Sequence, residues 1–259
     1  MNKEKELLND YKIGEFCCFV DILGTANLMS EQSTWYNESL IKIFEIIEIS
    51  LNESVDLSNS DNNLELRQYT DTICIIGNNA ERLVALSKSL QVQGFKKGIL
   101  LQIGVADGGV YDLSGCSYIK NIESKNPHAF YQLLAGPALA KAYLLLKGVK
   151  GPRILIDNAV ELKMEGSQKI SWGPLLFPLD SRKEVYWWDV IIDFEDVIQK
   201  NKTIYREKAT LWNSTPQKLG CQDRDFLFDH EKRLATSFNK GLEHLEEFER
   251  VIKTYDEMN

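Results

Sequence analysis

The chain has 259 residues, 44% of them hydrophobic and 26% charged, with a formal net charge of -8. That length and apolar share suit one large globular domain, or a domain with an appendage. The acidic balance argues against nonspecific nucleic-acid binding, which needs Lys and Arg for phosphate contact, but leaves room for a small phosphorylated ligand in a locally positive or metal-filled pocket.

In chain order, residues 1–14 form a polar lead-in. The run F-C-C-F-V-D-I-L-G, Phe16 to Gly24, predicts a buried strand from about Glu15 to Leu23, with one carboxylate, Asp21, inside it. Ser33 or Thr34 caps a helix to about Leu51, apolar on more than one face. A Ser-, Asn- and Asp-rich loop follows. Leu64 to Gly77, L-E-L-R-Q-Y-T-D-T-I-C-I-I-G, predicts strand, two-residue turn and strand, with Asp71 at the turn. Asn79 caps a helix through Val92. Gly98 to Val110 predicts a strand, Tyr111 to His128 a loop, and Gly136 to Leu146 a helix with Pro137 in its first turn. A strand from Arg153 to Ile156, a small helix from Asn158 to Met164, a strand from Lys183 to Ile192 and a charged helix from about Asp223 to Asp256 complete the chain.

This order predicts an α+β fold close to the ferredoxin-like arrangement, a mostly antiparallel sheet with helices on one face. It sets the first strand beside the hairpin, so that Asp21 and Asp71 meet. A buried carboxylate needs a cation or several donors, and two of them suit a hard divalent ion. No segment reaches the ~18 apolar residues of a membrane span, and the charged opening M-N-K-E-K-E-L-L-N-D lacks an apolar targeting core. The five cysteines, Cys17, Cys18, Cys74, Cys116 and Cys221, are odd in number and form no C-x-x-C pair, so free core thiols are expected. Together these features predict a soluble, cytoplasmic protein.

Four stretches in order resemble the motifs of class III nucleotidyl cyclases. F-V-D-I-L-G (Phe19 to Gly24) resembles their first metal motif, and Y-T-D-T-I-C-I-I-G (Tyr69 to Gly77) their second metal Asp and its hairpin. I-G-V-A-D-G-G-V (Ile103 to Val110) resembles the strand that follows, and A-G-P-A-L-A-K-A-Y-L-L (Ala135 to Leu145) the dimerisation and catalytic helix. The resemblance covers roughly residues 15–165, and it implies the class III cyclase catalytic fold there, with residues 166–259 completing the same domain. The last helix departs from adenylyl and guanylyl cyclases. Ala140 and Leu144 stand where those enzymes carry an Asn and an Arg. Arg67 stands at the base-reading Lys, and the second purine-reading position falls near Leu133. With the purine set incomplete, the chain looks most like the bacterial pyrimidine cyclases of the Pycsar antiphage systems.

That resemblance implies conversion of UTP or CTP to cyclic UMP or cyclic CMP and pyrophosphate, with two Mg2+ or Mn2+ ions per site. It also implies a homodimer with two composite sites and a separate effector that the cyclic nucleotide activates. The implied metal ligands are Asp21, Asp71 and the backbone carbonyl of Ile22. Lys141 is the candidate for transition-state charge, reaching from one subunit into the other's site. Leu23, Gly24 and Thr25 are candidates to cradle phosphates at a helix N-terminus, Arg67 to read a base carbonyl through its planar fork, and Tyr143 to stack on a base. Two other readings stay open: a degenerate cyclase-fold module that binds nucleotide or dimerises without turnover, and a purine cyclase with unusual base contacts.

Overall fold

The structure is a computed structural model, and it describes residues 8–23, 34–54, 63–69, 72–125, 133–164, 172–173, 182–185, 187–214 and 224–258. Asp71, Gly24, Thr25, Thr70, His128 and Cys221 lie outside the described residues.

Among the described residues, eight strands share one sheet: β1 (Lys12–Ile22), β2 (Glu65–Tyr69), β3 (Thr72–Gly77), β4 (Leu101–Asp112), β5 (Leu134–Ala135), β6 (Ile154–Asp157), β7 (Trp172–Gly173) and β8 (Arg182–Val185). Their spatial order is β2-β3-β1-β4-β6-β8-β7, with β5 paired to β4. All pairings are antiparallel except β4 with β6. The helices are α1 (Thr34–Ser54), α2 (Ala80–Lys96), α3 (Ser117–Lys125), α4 (Pro137–Leu146), α5 (Asn158–Lys163), α6 (Phe194–Ser214) and α7 (Arg224–Met258).

β1 lies between β3 and β4, and both of its faces are covered, which is why its sequence reads as a near-continuous apolar run. Phe16, Cys18, Val20 and Ile22 enter the larger core with α1 and α2, whereas Cys17 and Phe19 point to a second cluster under α4. The α2 N-terminus is fixed by Asn79, whose side-chain oxygen accepts from the Arg82 N–H at 2.9 Å. α4 lies on the face opposite α1 and α2, a departure from the expected one-sided helix layer. It packs so closely there because its contact residues include Ala138 and Ala142 and because Gly104 of β4 has no side chain. A Cβ at Gly104 would collide with the Ala142 carbonyl.

Other expectations change. The strand expected from Lys183 to Ile192 ends at Val185, and Trp188–Val190 is a 3-10 turn. Trp187 and Trp188 are drawn inward rather than alternating: Trp187 stacks on Phe248 with centroids 5.2 Å apart, and Trp188 meets the same ring edge-on. The loop expected from Tyr111 to His128 contains the end of β4, the 3-10 turn Leu113–Gly115, and α3. The stretch after Ile192 holds α6, which packs on α7. There Gly241 leaves room for the Tyr205 ring, and Tyr205 meets Phe238 edge-on at 6.1 Å.

The late helices share the main core. Tyr205, Phe238, Leu245 and Phe248 belong to the same buried cluster as Val20 and Ile75. Asn201 Nδ2 donates to the Phe95 carbonyl at 2.9 Å. Between β6 and β8 the Arg153 guanidinium grips the Glu184 carboxylate with both partners buried. No helix among the described residues is long and apolar enough to cross a membrane.

Candidate functional site

Strand register sets out the site. On the α4 face of the sheet, side chains at alternate positions form three rows across β1, β3 and β2. Asp21 is opposite Thr72, which is opposite Tyr69. One row along stand Phe19, Cys74 and Arg67, and one further Cys17, Ile76 and Glu65. Thr72 follows Asp71 directly in the chain, so the pairing of Tyr69 with Thr72 agrees with a two-residue connection through residues 70 and 71. Asp21 is half-buried. Standard sheet spacings put the Cα atoms of Asp21 and Arg67 roughly 12 Å apart, about the span of a nucleotide.

Over these rows lies a cleft of about 610 Å³. Its floor is Phe19, Tyr69, Thr72 and Cys74, and its opposite wall runs from Leu133 to Gly136 and on through Leu139, Ala140 and Tyr143 of α4. Tyr143 is largely exposed, and its ring meets Phe19 edge-on with centroids 5.7 Å apart. Burial lifts the Tyr69 phenol above its usual range, so at neutral pH it remains a hydrogen-bond donor. Cys17 lies beside the cleft. A hydrogen bond with Cys74 and then burial push its thiol well above the ordinary range, while the same hydrogen bond lowers Cys74. Cys18 faces the other core, and burial raises it to about 12 although the Ser87 hydroxyl lies 3.2 Å away. Cys17, Cys18, Cys74 and Cys116 are free thiols.

Of the expected residues, Tyr143 lines the cleft, and Asp21 and Arg67 stand on the same sheet face beside its floor, whereas Lys141 lies apart from them. Arg67 is held by Glu65, through Nε and Nη2, and by Asp112, whose Oδ2 lies 2.8 Å from Nη2. Lys141 is on the flank of α4 away from the cleft. Its amine donates to the Asp107 carbonyl at 3.0 Å and lies 3.8 Å from Asp157 Oδ2. Asp107 sits within β4 and pairs with Lys163 at 2.7 Å. Leu23 is buried, and its N–H donates to the Leu100 carbonyl at 2.9 Å, so that amide is committed within the sheet. Of the histidines, His244 is described in detail: its Nδ1 accepts from the Gly151 N–H at 3.0 Å.

Among the described residues no three His, Cys, Asp or Glu side chains cluster closely enough to hold a metal ion. The donors expected on β1, one half-buried carboxylate and the adjacent backbone carbonyl of Ile22, are hard oxygens at the end of a strand and fit Mg2+ or Mn2+ in kind.

The reading of motifs missed Phe19 and Tyr69 as cleft residues and Glu65 and Asp112 as the partners of Arg67. The signal for three of them was present. Phe19 shares a strand face with Asp21, and Glu65, Arg67 and Tyr69 share one another's, by simple alternation. Nothing in the local sequence points to Asp112, which arrives from the other end of β4.

No family model and no curated protein matches the sequence. Among solved structures, the chain is similar to the monomeric guanylyl cyclase domain of the RhoGC fusion protein from the aquatic fungus Blastocladiella emersonii. That match has 15% identity and a TM-score of 0.48, and covers 68% of this chain and 96% of that one. The guanylate cyclase domain of RhGC from Catenaria anguillulae, in complex with GTP, matches at 16% identity and TM-score 0.48, with 68% and 96% coverage. A bacterial light-regulated adenylyl cyclase matches at 12% identity and TM-score 0.48, over 73% of this chain and 55% of that one.

Proposed function

We propose that the protein is a nucleotidyl cyclase acting on a pyrimidine nucleoside triphosphate, UTP or CTP, and releasing the 3′,5′-cyclic nucleotide and pyrophosphate. The observation that supports it is the register of β1 with β3. Asp21 is paired with the residue that follows Asp71, on the face that bears the cleft. The four motifs in cyclase order support the same reading. In this reading the enzyme is a homodimer, and its product is a second messenger for a separate effector in antiphage defence.

The reaction is an intramolecular displacement, so catalysis is mainly positioning and charge stabilisation. Asp21 and Asp71, with the Ile22 carbonyl, would hold Mg2+ or Mn2+. When bound, such ions lower the pKa of the attacking 3′-hydroxyl and offset charge on the leaving pyrophosphate. The chain's own residues do the rest. Phe19 and Tyr143 present ring edges and faces to a base, Arg67 donates to its carbonyl edge, and Gly24 and Thr25 would meet the phosphates, the Leu23 amide being held by Leu100. Lys141, on the outer flank of α4, serves a site completed by a second copy. The pyrimidine preference rests on the departures from the purine pattern, Arg67, Leu133, Ala140 and Leu144.

A second reading, nucleotide binding without turnover, draws on one observation. α4 offers the cleft Ala140 where cyclases carry Asn, and the Lys141 amine is engaged by Asp107. One assay separates the two. Purified protein is incubated with Mn2+ and each of the four nucleoside triphosphates, pyrophosphate is measured, and the products are chromatographed. The expected result is cyclic UMP or cyclic CMP, lost in Asp21→Ala while the dimer persists. Tight binding without pyrophosphate release selects the second reading, and a cyclic purine product overturns the pyrimidine preference.

A further inference from the structure

Arg67 is an edge-strand arginine with two acidic partners from different places. Glu65 lies two residues away on the same face of β2. Asp112 comes from the end of β4. Its N–H donates to the Tyr11 carbonyl at 2.9 Å, and β4 there pairs with β5, Asp112 opposite Leu134. The next residue, Leu113, donates to the Leu133 carbonyl at 2.8 Å. Leu133 and Leu134 belong to the cleft wall. Arg67 is paired with Cys74 of the cleft floor and Asp112 with Leu134 of its wall, so their ion pair ties the two strands that border the cleft together at the end away from Asp21.

The chemistry of Asp112 suits that task. Burial opposes its charge, but hydrogen bonds from Ser114 and the charge of Arg67 hold the carboxyl below its usual range, so it is ionised at neutral pH. Its two oxygens have separate duties: Oδ1 accepts from the Ser114 N–H at 2.9 Å, capping the 3-10 turn, and Oδ2 takes Arg67 Nη2. Glu65 takes Nε and shares Nη2. That leaves the Nη1 edge of the fork without a partner among the described residues.

We propose that Asp112 is a positioning residue for base selection: it fixes the Arg67 guanidinium across the end of the cleft, so that an N–H donor and the neighbouring Glu65 carboxylate meet the edge of a pyrimidine side by side. This rests on the cyclase reading above. Uracil offers O4 as acceptor beside N3–H as donor, and cytosine offers N3 as acceptor beside its N4 amine as donor. Both bases carry the pair at ring positions 4 and 3, with donor and acceptor exchanged. Where the fork is held decides which base fits, because a donor or acceptor left unmatched in a closed site costs the pairing.

The test is Asp112→Asn, assayed with UTP and CTP. The Asn carbonyl keeps the cap on Ser114, while its amide turns a donor toward Arg67. The KM for the preferred triphosphate is expected to rise about tenfold with kcat within about twofold, the mark of lost binding rather than lost chemistry. The ratio of kcat/KM between UTP and CTP is expected to move at least about fivefold, and Asp112→Glu to recover most of the KM. Arg67→Lys, which keeps the charge but not the fork, reproduces the change in ratio and carries the test if the Asn variant does not fold. An active wild type whose Asn and Lys variants keep both KM and the UTP to CTP ratio overturns the role of Asp112 alone. A wild type that releases pyrophosphate from none of the four triphosphates overturns the cyclase reading, and this proposal with it.

Discussion

Gly104→Ala tests whether the seat of α4 on the sheet sets the cleft. The new methyl would overlap the Ala142 carbonyl oxygen, with the Ala142 carbonyl carbon at 3.1 Å and Leu146 Cδ2 at 3.3 Å. Backbone cannot rotate away as a side chain tip can, so the helix has to rise by roughly 1 Å to restore ordinary carbon contact distances. Overpacking of this kind costs about 1–3 kcal/mol. With a urea m-value of about 3 kcal/mol/M, the unfolding midpoint should fall by about 0.3–1 M. Leu139, Ala140 and Tyr143 move with the helix, and a displacement of about 1 Å in a binding wall can cost up to about 100-fold in turnover. Two controls separate steric from conformational effects. Gly115→Ala meets only Tyr11 Cε1 at 3.9 Å and should be neutral. Gly148→Ala has open space but a φ of +79, so it should lose about 1 kcal/mol and leave activity alone. A Gly104→Ala protein with wild-type urea midpoint and wild-type kinetics would refute the close seating of α4.

Further outcomes concern stability. Arg153→Met strands the fully buried Glu184 carboxylate and should cost about 3–5 kcal/mol in urea unfolding, whereas Arg153→Met with Glu184→Leu should come close to wild type. A double variant as unstable as the single one contradicts this. Burial pushes the carboxyl of Glu184 up even with Arg153 upon it, which accords with a pair that adds little net stability. His244 titrates in the opposite sense to a salt-bridged histidine. Burial, and then the charge of Lys150, depress its folded pKa, so the unfolded chain binds more protons as pH falls below its ordinary value of about 6.5. Stability should therefore decline from pH 7 toward the depressed folded pKa, and His244→Asn should flatten that slope. An unchanged midpoint-against-pH curve for the variant would count against the half-buried, neutral His244.

Much of the frame was legible in local pattern. The β1 run, the hairpin ending at Gly77, the Asn79 cap and the Pro137 start each carry their own signal, because burial period, turn length and capping chemistry are set within a few residues. The Asp21 position needed only the alternation of β1. The sequence by itself determined which face of β1 Asp21 shares, and that the Leu64 to Gly77 hairpin is a separate unit. Only tertiary packing decided that β4 brings Asp112 onto Arg67, that α4 occupies the face opposite the other core helices, and that Trp187 stacks on Phe248. Each of these pairs groups from distant parts of the chain, and neither period nor capping carries information about a partner that distant. The electrostatics of the cleft's far end is thus a property of the fold, while the acidic residue at its near end is written in the strand.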